Sequence, residues 1–272
     1  MNPRMQNFER DSLKAVLNSK RVWLVQVVAN ALLMIAFYYW TRIPDENGAQ
    51  FALSVIGGLI IVFLTLWLHS ATFEFFASGP ESSFKVALRR VLARTPGFLV
   101  WAVVFGGVLW LLSTLWQYDE QAGGWLRHTL PEFLRKNVKP RSMITLVTWS
   151  VGFLVFLLWP IIFLPVGAEV AKSGLRGFIR GAAWRPFREI RFWVVYVVCF
   201  VAGGYLSYSL AWMTPTKPSS LAAQKFSLAL RLGIGYLLLV TAWLVVCAAI
   251  VRTIAAFHRD SSVQDGATAK SD

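Results

Sequence analysis

Six long stretches of the chain are almost wholly apolar, and short polar segments separate them. They are Val22–Trp40, Phe51–Phe73, Thr95–Tyr118, Ser142–Ala168 (the longest), Phe192–Thr216 and Leu232–Val251. None contains Asp, Glu, Lys or Arg, and the second holds one histidine, His69. A spanning helix needs about 20 mostly apolar residues, so each run predicts one span. The alternation that barrel strands require is absent. A helix satisfies its own backbone polar groups, as hydrocarbon demands. The pattern predicts an all-α, polytopic membrane helix bundle of about six transmembrane helices.

Where the runs meet polar sequence, Trp and Tyr collect: Trp23, Tyr38, Tyr39, Trp40, Trp116, Tyr118, Trp193 and Trp212. This is the aromatic belt expected at headgroup depth. Small pairs inside the runs (Gly57-Gly58, Gly106-Gly107, Gly203-Gly204, and Gly233 with Gly235) predict close helix–helix approach.

The connecting segments have patterns of their own. After run two, Ser78 and Glu81 are spaced as a capping box. Phe84, Leu88, Val91 and Leu92 then share a helical face that excludes Lys85 and Arg89. After run four, Leu175, Phe178, Ile179 and Ala182 share a face, Arg176 and Arg180 stack on another, and Pro186 ends or kinks the helix. Both segments read as basic amphipathic helices lying in the interface beside anionic lipid. The competing reading is an ordinary cytoplasmic loop. Between runs three and four, Thr129, Pro131 and Glu132 predict a capped short helix with Phe133, Leu134 and Val138 on its apolar face.

An internal repeat links these segments. Glu74-x3-Ser78-Gly79 recurs 95 positions later as Glu169-x3-Ser173-Gly174, and Lys85, Ala87 and Arg90 align with Arg180, Ala182 and Arg185. The copies lie near 51–118 and 142–216. Each runs spanning helix, Glu, Ser-Gly, basic segment, spanning helix.

Composition strengthens the membrane reading: 56% of the chain is hydrophobic and 15% charged, against about 45–50% and 25% in soluble domains. The net charge of +13 would suggest nucleic acid on a soluble protein, but here the cations sit between apolar runs, and no nucleic-acid-binding signature accompanies them. Of the 27 Lys and Arg, 18 fall on the side of the N-terminal segment and 9 on the other. That bias puts both termini in the cytoplasm, with Arg127, Arg135, Lys136, Lys139 and Arg141 as the exception. The expected division is a basic cytoplasmic segment over 1–21, a six-helix transmembrane domain over 22–251 and a disordered cytoplasmic tail over 252–272. Lacking a small-x-small cleavage site, the first run reads as a retained helix, and the expected location is the bacterial cytoplasmic (inner) membrane. The two cysteines, Cys199 and Cys247, lie inside runs and read as small buried hydrophobes.

Glu74, Gly79 and Ala87-Leu88-Arg89-Arg90, followed by a spanning helix, resemble a pattern in bacterial multi-helix membrane families, among them the membrane domain attached to some glycerophosphodiester phosphodiesterases. The resemblance covers roughly residues 70–116 and, less well, 165–213. In that family catalysis belongs to a separate soluble barrel, so the resemblance brings no catalytic residue to this chain. The second copy departs from it, with Ala182-Ala183-Trp184-Arg185 in place of Ala-Leu-Arg-Arg.

Ionisable groups at membrane depth are the candidates for function. Glu74 and Glu169 close helices two and four; they form either a paired polar site or local ion pairs. His69, five residues before Glu74, points about 140° away from it. Pro160 and Pro165 interrupt helix four, as broken transporter helices are interrupted, or kink it structurally. No cofactor or metal motif and no catalytic signature accompany them. Three functions follow: a non-enzymatic scaffold or assembly factor that binds lipid, a membrane partner or a second copy of itself, with Lys85, Arg89, Arg90, Arg176, Arg180 and Arg185 on anionic lipid; a small transporter or permease subunit using Glu74 and Glu169; or, least favoured, a lipid-modifying enzyme.

Overall fold

Each apolar run is long enough to bury its backbone in a helix, and each forms one. The computed structural model describes residues 12–44, 46–79, 82–179, 181–213 and 220–268, the last helix beyond Ala255 by its backbone alone. The six spans are Lys20–Trp40, Gly48–Ser78, Thr95–Trp116, Pro140–Phe178, Ile190–Trp212 and Leu221–Ala255. Among the described residues every regular element is helical. Large apolar side chains face outward on all of them: Val103 is 74% exposed, Trp110 70% and Trp149 75%. A soluble monomer rarely tolerates more than a few hundred Å² of contiguous apolar surface; lipid covers such a surface at no cost.

We number the helices α1 (Lys20–Trp40), α2 (Gly48–Ser78), α3 (Phe84–Leu92), α4 (Thr95–Trp116), α5 (Asp119–Thr129), α6 (Glu132–Asn137), α7 (Pro140–Phe153), α8 (Trp159–Ser173), α9 (Arg185–Arg188), α10 (Ile190–Cys199), α11 (Leu206–Trp212) and α12 (Leu221–Thr268). Helix α2 has 31 residues, roughly 46 Å at the helical rise. A hydrocarbon layer is about 30 Å thick, so α2 projects beyond it. Helix α12 is the central post, packing on α1, α2, α8, α10 and α11. A core of Phe73, Ile161, Phe192, Cys247 and Ile250 joins α2, α8, α10 and α12.

The ends of the bundle are fixed by a few contacts. Trp40 donates to the Ser54 carbonyl at 2.6 Å, and its ring lies against Gly57 and Gly58, closing the α1–α2 hairpin. The Ser207 hydroxyl donates to the Gly235 carbonyl at 2.7 Å at this same end. At the other end Val16, Val22, Phe75, Ala87 and Ala248 form one cluster. The N-terminal segment, α3 and the starts of α4 and α10 therefore share one end, called the basic end below.

Several expectations are corrected. The expected tail is helical in its backbone as far as Thr268. Helix α3 begins after Ser83, with no side-chain cap; Ser78 still belongs to α2, and Glu81 lies outside the described residues. Its buried face is Phe84, Ala87, Leu88 and Val91, whereas Leu92 is 49% exposed. The second basic segment is not an α-helix but two 3-10 turns, Gly174–Phe178 and Gly181–Trp184, followed by α9. Gly177 sets that geometry: a Cβ there would lie 2.5 Å from the backbone nitrogen of Val170. The turn thus folds back onto α8 instead of extending from it, and Leu175 and Ile179 point outward, Ile179 at 89% exposure. Thr129 does not cap α6; its hydroxyl bonds the Leu126 carbonyl at the end of α5, a helix the run pattern does not announce. Gly106, Gly107 and Gly233 touch no neighbouring helix, so only part of the glycine set serves close approach.

Prolines 160 and 165 do not break the fourth span. A π turn, Leu154–Leu158, joins α7 to α8 just before Pro160. The wider π turn accommodates a residue that cannot donate to the α-helical ladder. Pro165 is buried within α8. The fifth span carries a π turn too, Phe200–Tyr205, without a proline.

Candidate functional site

Glu74 lies in the last turns of α2, 5% exposed. Arg94, at the start of α4, donates to Glu74 Oε2 at 2.9 Å and to the carbonyl of Ala171 in α8 at 2.6 Å. Arg90 reaches Oε1 at 3.4 Å, and the Ser78 hydroxyl donates to the same oxygen at 3.2 Å. One carboxylate thus ties α2 to α3 and α4, and Arg94 extends the tie to α8. In the sequence Arg94 is one of the 27 Lys and Arg that set the charge asymmetry, and nothing in the run pattern marks which of them folds inward.

Glu169 is fully buried in α8. The Ser173 hydroxyl donates to its backbone carbonyl at 2.7 Å, not to its carboxylate as in the first copy. The two Ser-Gly pairs do share one feature. Gly79 and Gly174 are the only described residues with positive φ, at 87° and 64°. Each ends its helix in the backbone region that glycine occupies without steric cost. Each carboxylate closes its own helix, Glu74 that of α2 and Glu169 that of α8, and Arg94 reaches from Glu74 to the carbonyl of Ala171, two residues beyond Glu169.

His69 stands apart from Glu74, as its position on the helix requires. Its ring meets Trp243 edge-on at 4.9 Å, and neither His69 Nδ1 nor Trp243 Nε1 has a hydrogen-bond partner among the described residues. Both residues line a cleft of about 460 Å³ among α2, α4, α8, α10 and α12, whose wall is otherwise mostly apolar. A ligand-sized pocket with few polar groups suits an apolar occupant. A buried polar node is also present in α1: Gln26, fully buried, donates to the Thr72 hydroxyl and accepts from Asn30 Nδ2 at 2.8 Å. Such bonds hold helices together inside a bilayer. Gln26 escaped the sequence reading because a lone amide barely alters the hydropathy of a run.

The basic residues divide into two groups. Arg90 is engaged by Glu74, and Arg185 donates to Glu189 at 3.1 Å. Lys85, Arg89, Lys172, Arg176 and Arg188 are exposed, and no acidic side chain pairs with them among the described residues. Arg180 lies outside the described residues. Beside the exposed cations stand exposed apolar side chains: Leu175, Ile179, Trp184, Phe187 and Ile190 in the second segment, Val86 and Leu92 in the first. No group of three or more potential metal ligands occurs among the described residues.

No known protein family, curated protein or solved structure matches the chain. The likeness of Glu74, Gly79 and Ala87–Arg90 to the phosphodiesterase-linked membrane domain therefore rests on those residues alone.

Proposed function

We propose that the protein is a non-enzymatic, multi-pass protein of the bacterial cytoplasmic membrane that binds anionic lipid at its basic end and serves as a lipid- or partner-binding scaffold or assembly factor. One observation carries this reading. Lys172, Arg176 and Arg188, exposed and with no acidic partner among the described residues, alternate with the exposed large apolar side chains Leu175, Ile179, Trp184, Phe187 and Ile190. That combination suits the headgroup boundary, where apolar groups enter the acyl region and cations meet phosphate. The 18-to-9 distribution of Lys and Arg supports a basic end facing the cytoplasm, the side on which anionic lipid lies. The matched Ser-Gly turns support a true internal repeat that presents two such segments, and α3, with Lys85 and Arg89 outward, is the amphipathic helix of the first.

The transporter reading would draw on a discontinuous fourth span, but that span runs through its π turn unbroken. Glu74 speaks against it, because Arg94 and Arg90 already hold its carboxylate.

Neutralising Lys172, Arg176 and Arg188 together to Gln tests the proposal. Each exposed cation near an anionic surface contributes about 1 kcal/mol. The triple variant should therefore lose most of the wild type's preference for phosphatidylglycerol over phosphatidylcholine, read by mass spectrometry of lipid retained through purification. Neutralising Arg135, Lys139 and Arg141 at the opposite end should leave that preference intact. A wild type that retains both lipids equally would sink the proposal.

A further inference from the structure

A second cleft, about 420 Å³, lies beyond the first and shares Phe200 with it. Its wall includes Trp116, Gly152 and Phe156. Along the fourth span the two clefts run from Gly167 to Thr148, roughly 28 Å at the helical rise. That is close to the full hydrocarbon thickness of about 30 Å. Spread over this length, the two volumes describe a long, narrow track, the shape of an extended chain.

Most polar handles along the track are already used; among the described residues His69 Nδ1 and Trp243 Nε1, at one end of the first cleft, are left over. Trp101 Nε1 donates to the Phe163 carbonyl and the Tyr196 hydroxyl to the Phe156 carbonyl, both at 3.0 Å. The Thr148 hydroxyl donates to Asp119 at 2.6 Å. Water needs two to four polar partners to settle in a cavity, and these walls leave few. Leaving such a volume empty forfeits packing on every side. The backbone is also shaped to the track. The π turns Leu154–Leu158 and Phe200–Tyr205 both border the place where the clefts meet, and π turns recur at functional sites. Trp101 with Tyr196, and Phe105 with Phe200, are aromatic wall pairs separated by the 95-residue repeat.

We infer that the two clefts form one intramembrane groove that holds the long acyl chain of a membrane phospholipid. The inference shares with the proposed function the premise that lipid is the ligand, but it concerns the chain, not the headgroup.

Two glycines make the test clean. A Cβ on Gly204, in the first cleft, would meet nothing nearer than 3.6 Å, and one on Gly152, in the second, nothing nearer than 3.7 Å. Gly204→Phe and Gly152→Phe should therefore fill the groove without a backbone clash, whereas Gly106→Phe, with nothing within 4 Å, points into open surroundings and is the control. The probes are phosphatidylglycerol and phosphatidylcholine, each carrying a photoreactive diazirine near the end of one acyl chain, with adducts mapped by mass spectrometry on the reconstituted full chain. Wild type should be labelled at Phe105, Phe156 and Phe200 by both lipids. Each filling variant should lose at least fivefold of that labelling, and Gly106→Phe should keep it. Labelling confined to outward residues such as Val103 and Trp110 would overturn the inference, as would full groove labelling in both filled variants. Groove labelling that ignores the headgroup upholds it even if the preference for phosphatidylglycerol fails.

Discussion

Replacing Arg94 with Ala should cost more stability than any other single charge removal in the chain. Arg94 gives one nitrogen to Glu74 at 2.9 Å and to the Ala171 carbonyl at 2.6 Å. Without it, a carboxylate only 5% exposed keeps one cation, Arg90, at 3.4 Å and half in solvent, and the Ser78 hydroxyl at 3.2 Å. Removing one partner of a buried ion pair typically costs about 3–5 kcal/mol, because the other charge stays desolvated. Arg94 is 30% exposed on its side chain, so the expected loss lies at the low end, about 3 kcal/mol. Glu74→Gln should cost less, about 1–2 kcal/mol, since the amide oxygen still accepts. Replacing both partners with Leu should recover most of the Arg94→Ala loss, because no charge is then left alone. Thermal unfolding of the purified variants in one detergent gives the ranking. Equal losses from Arg94→Ala and from Arg89→Ala, whose side chain is exposed and has no acidic partner among the described residues, would rule out the node.

Gly177→Ala should be comparably damaging for a purely steric reason. The added Cβ would lie 2.5 Å from the Val170 nitrogen, 2.6 Å from the Glu169 carbonyl carbon and 2.7 Å from the Val170 Cα. These are backbone atoms of a packed helix, so no side chain can turn aside. The turn Gly174–Phe178 would have to lift away from α8. It is also held from the other side, where a Cβ on Gly97 would come within 2.8 Å of Gly174. Overpacking of this kind costs about 1–3 kcal/mol, and more where backbone must move. The matched control is Gly181→Ala: that glycine has nothing within 4 Å of its ideal Cβ and an ordinary φ. It should be neutral or slightly stabilising by reducing the freedom of the unfolded chain. A Gly177→Ala protein as stable as Gly181→Ala would contradict the close approach.

The spans were legible because a hydrophobic run of sufficient length has few other uses. Their edges were less so. Helix α2 carries Glu74 and Ser78 beyond its apolar run, since a helix can continue into the headgroup region once its charge is paired. The second basic segment was misread because periodicity alone cannot register a clash-free glycine. Leu175, Phe178, Ile179 and Ala182 do fit one helical face, yet the contact of Gly177 with α8 allows a tighter fold. The candidate site divides in the same way. Glu74 was identifiable from its cost at membrane depth, and the ion-pair reading fits its surroundings. Its main partner, Arg94, is distant by 20 residues and chosen by tertiary packing. The groove had no sequence signature, because its walls are the same Phe, Trp and Leu that face lipid elsewhere.

The central claim is that the chain crosses the membrane six times with the basic segments after the second and fourth spans on the cytoplasmic face, and topology reporters test it most directly. Fusions ending at Asn47 and Val138 should report the outside, and fusions ending at Arg90 and Arg176 the cytoplasm. A cytoplasmic signal at Asn47, or an outside signal at Arg176, would contradict the account, since Arg94, Glu74 and Ala171 hold the two basic segments at one end of the bundle.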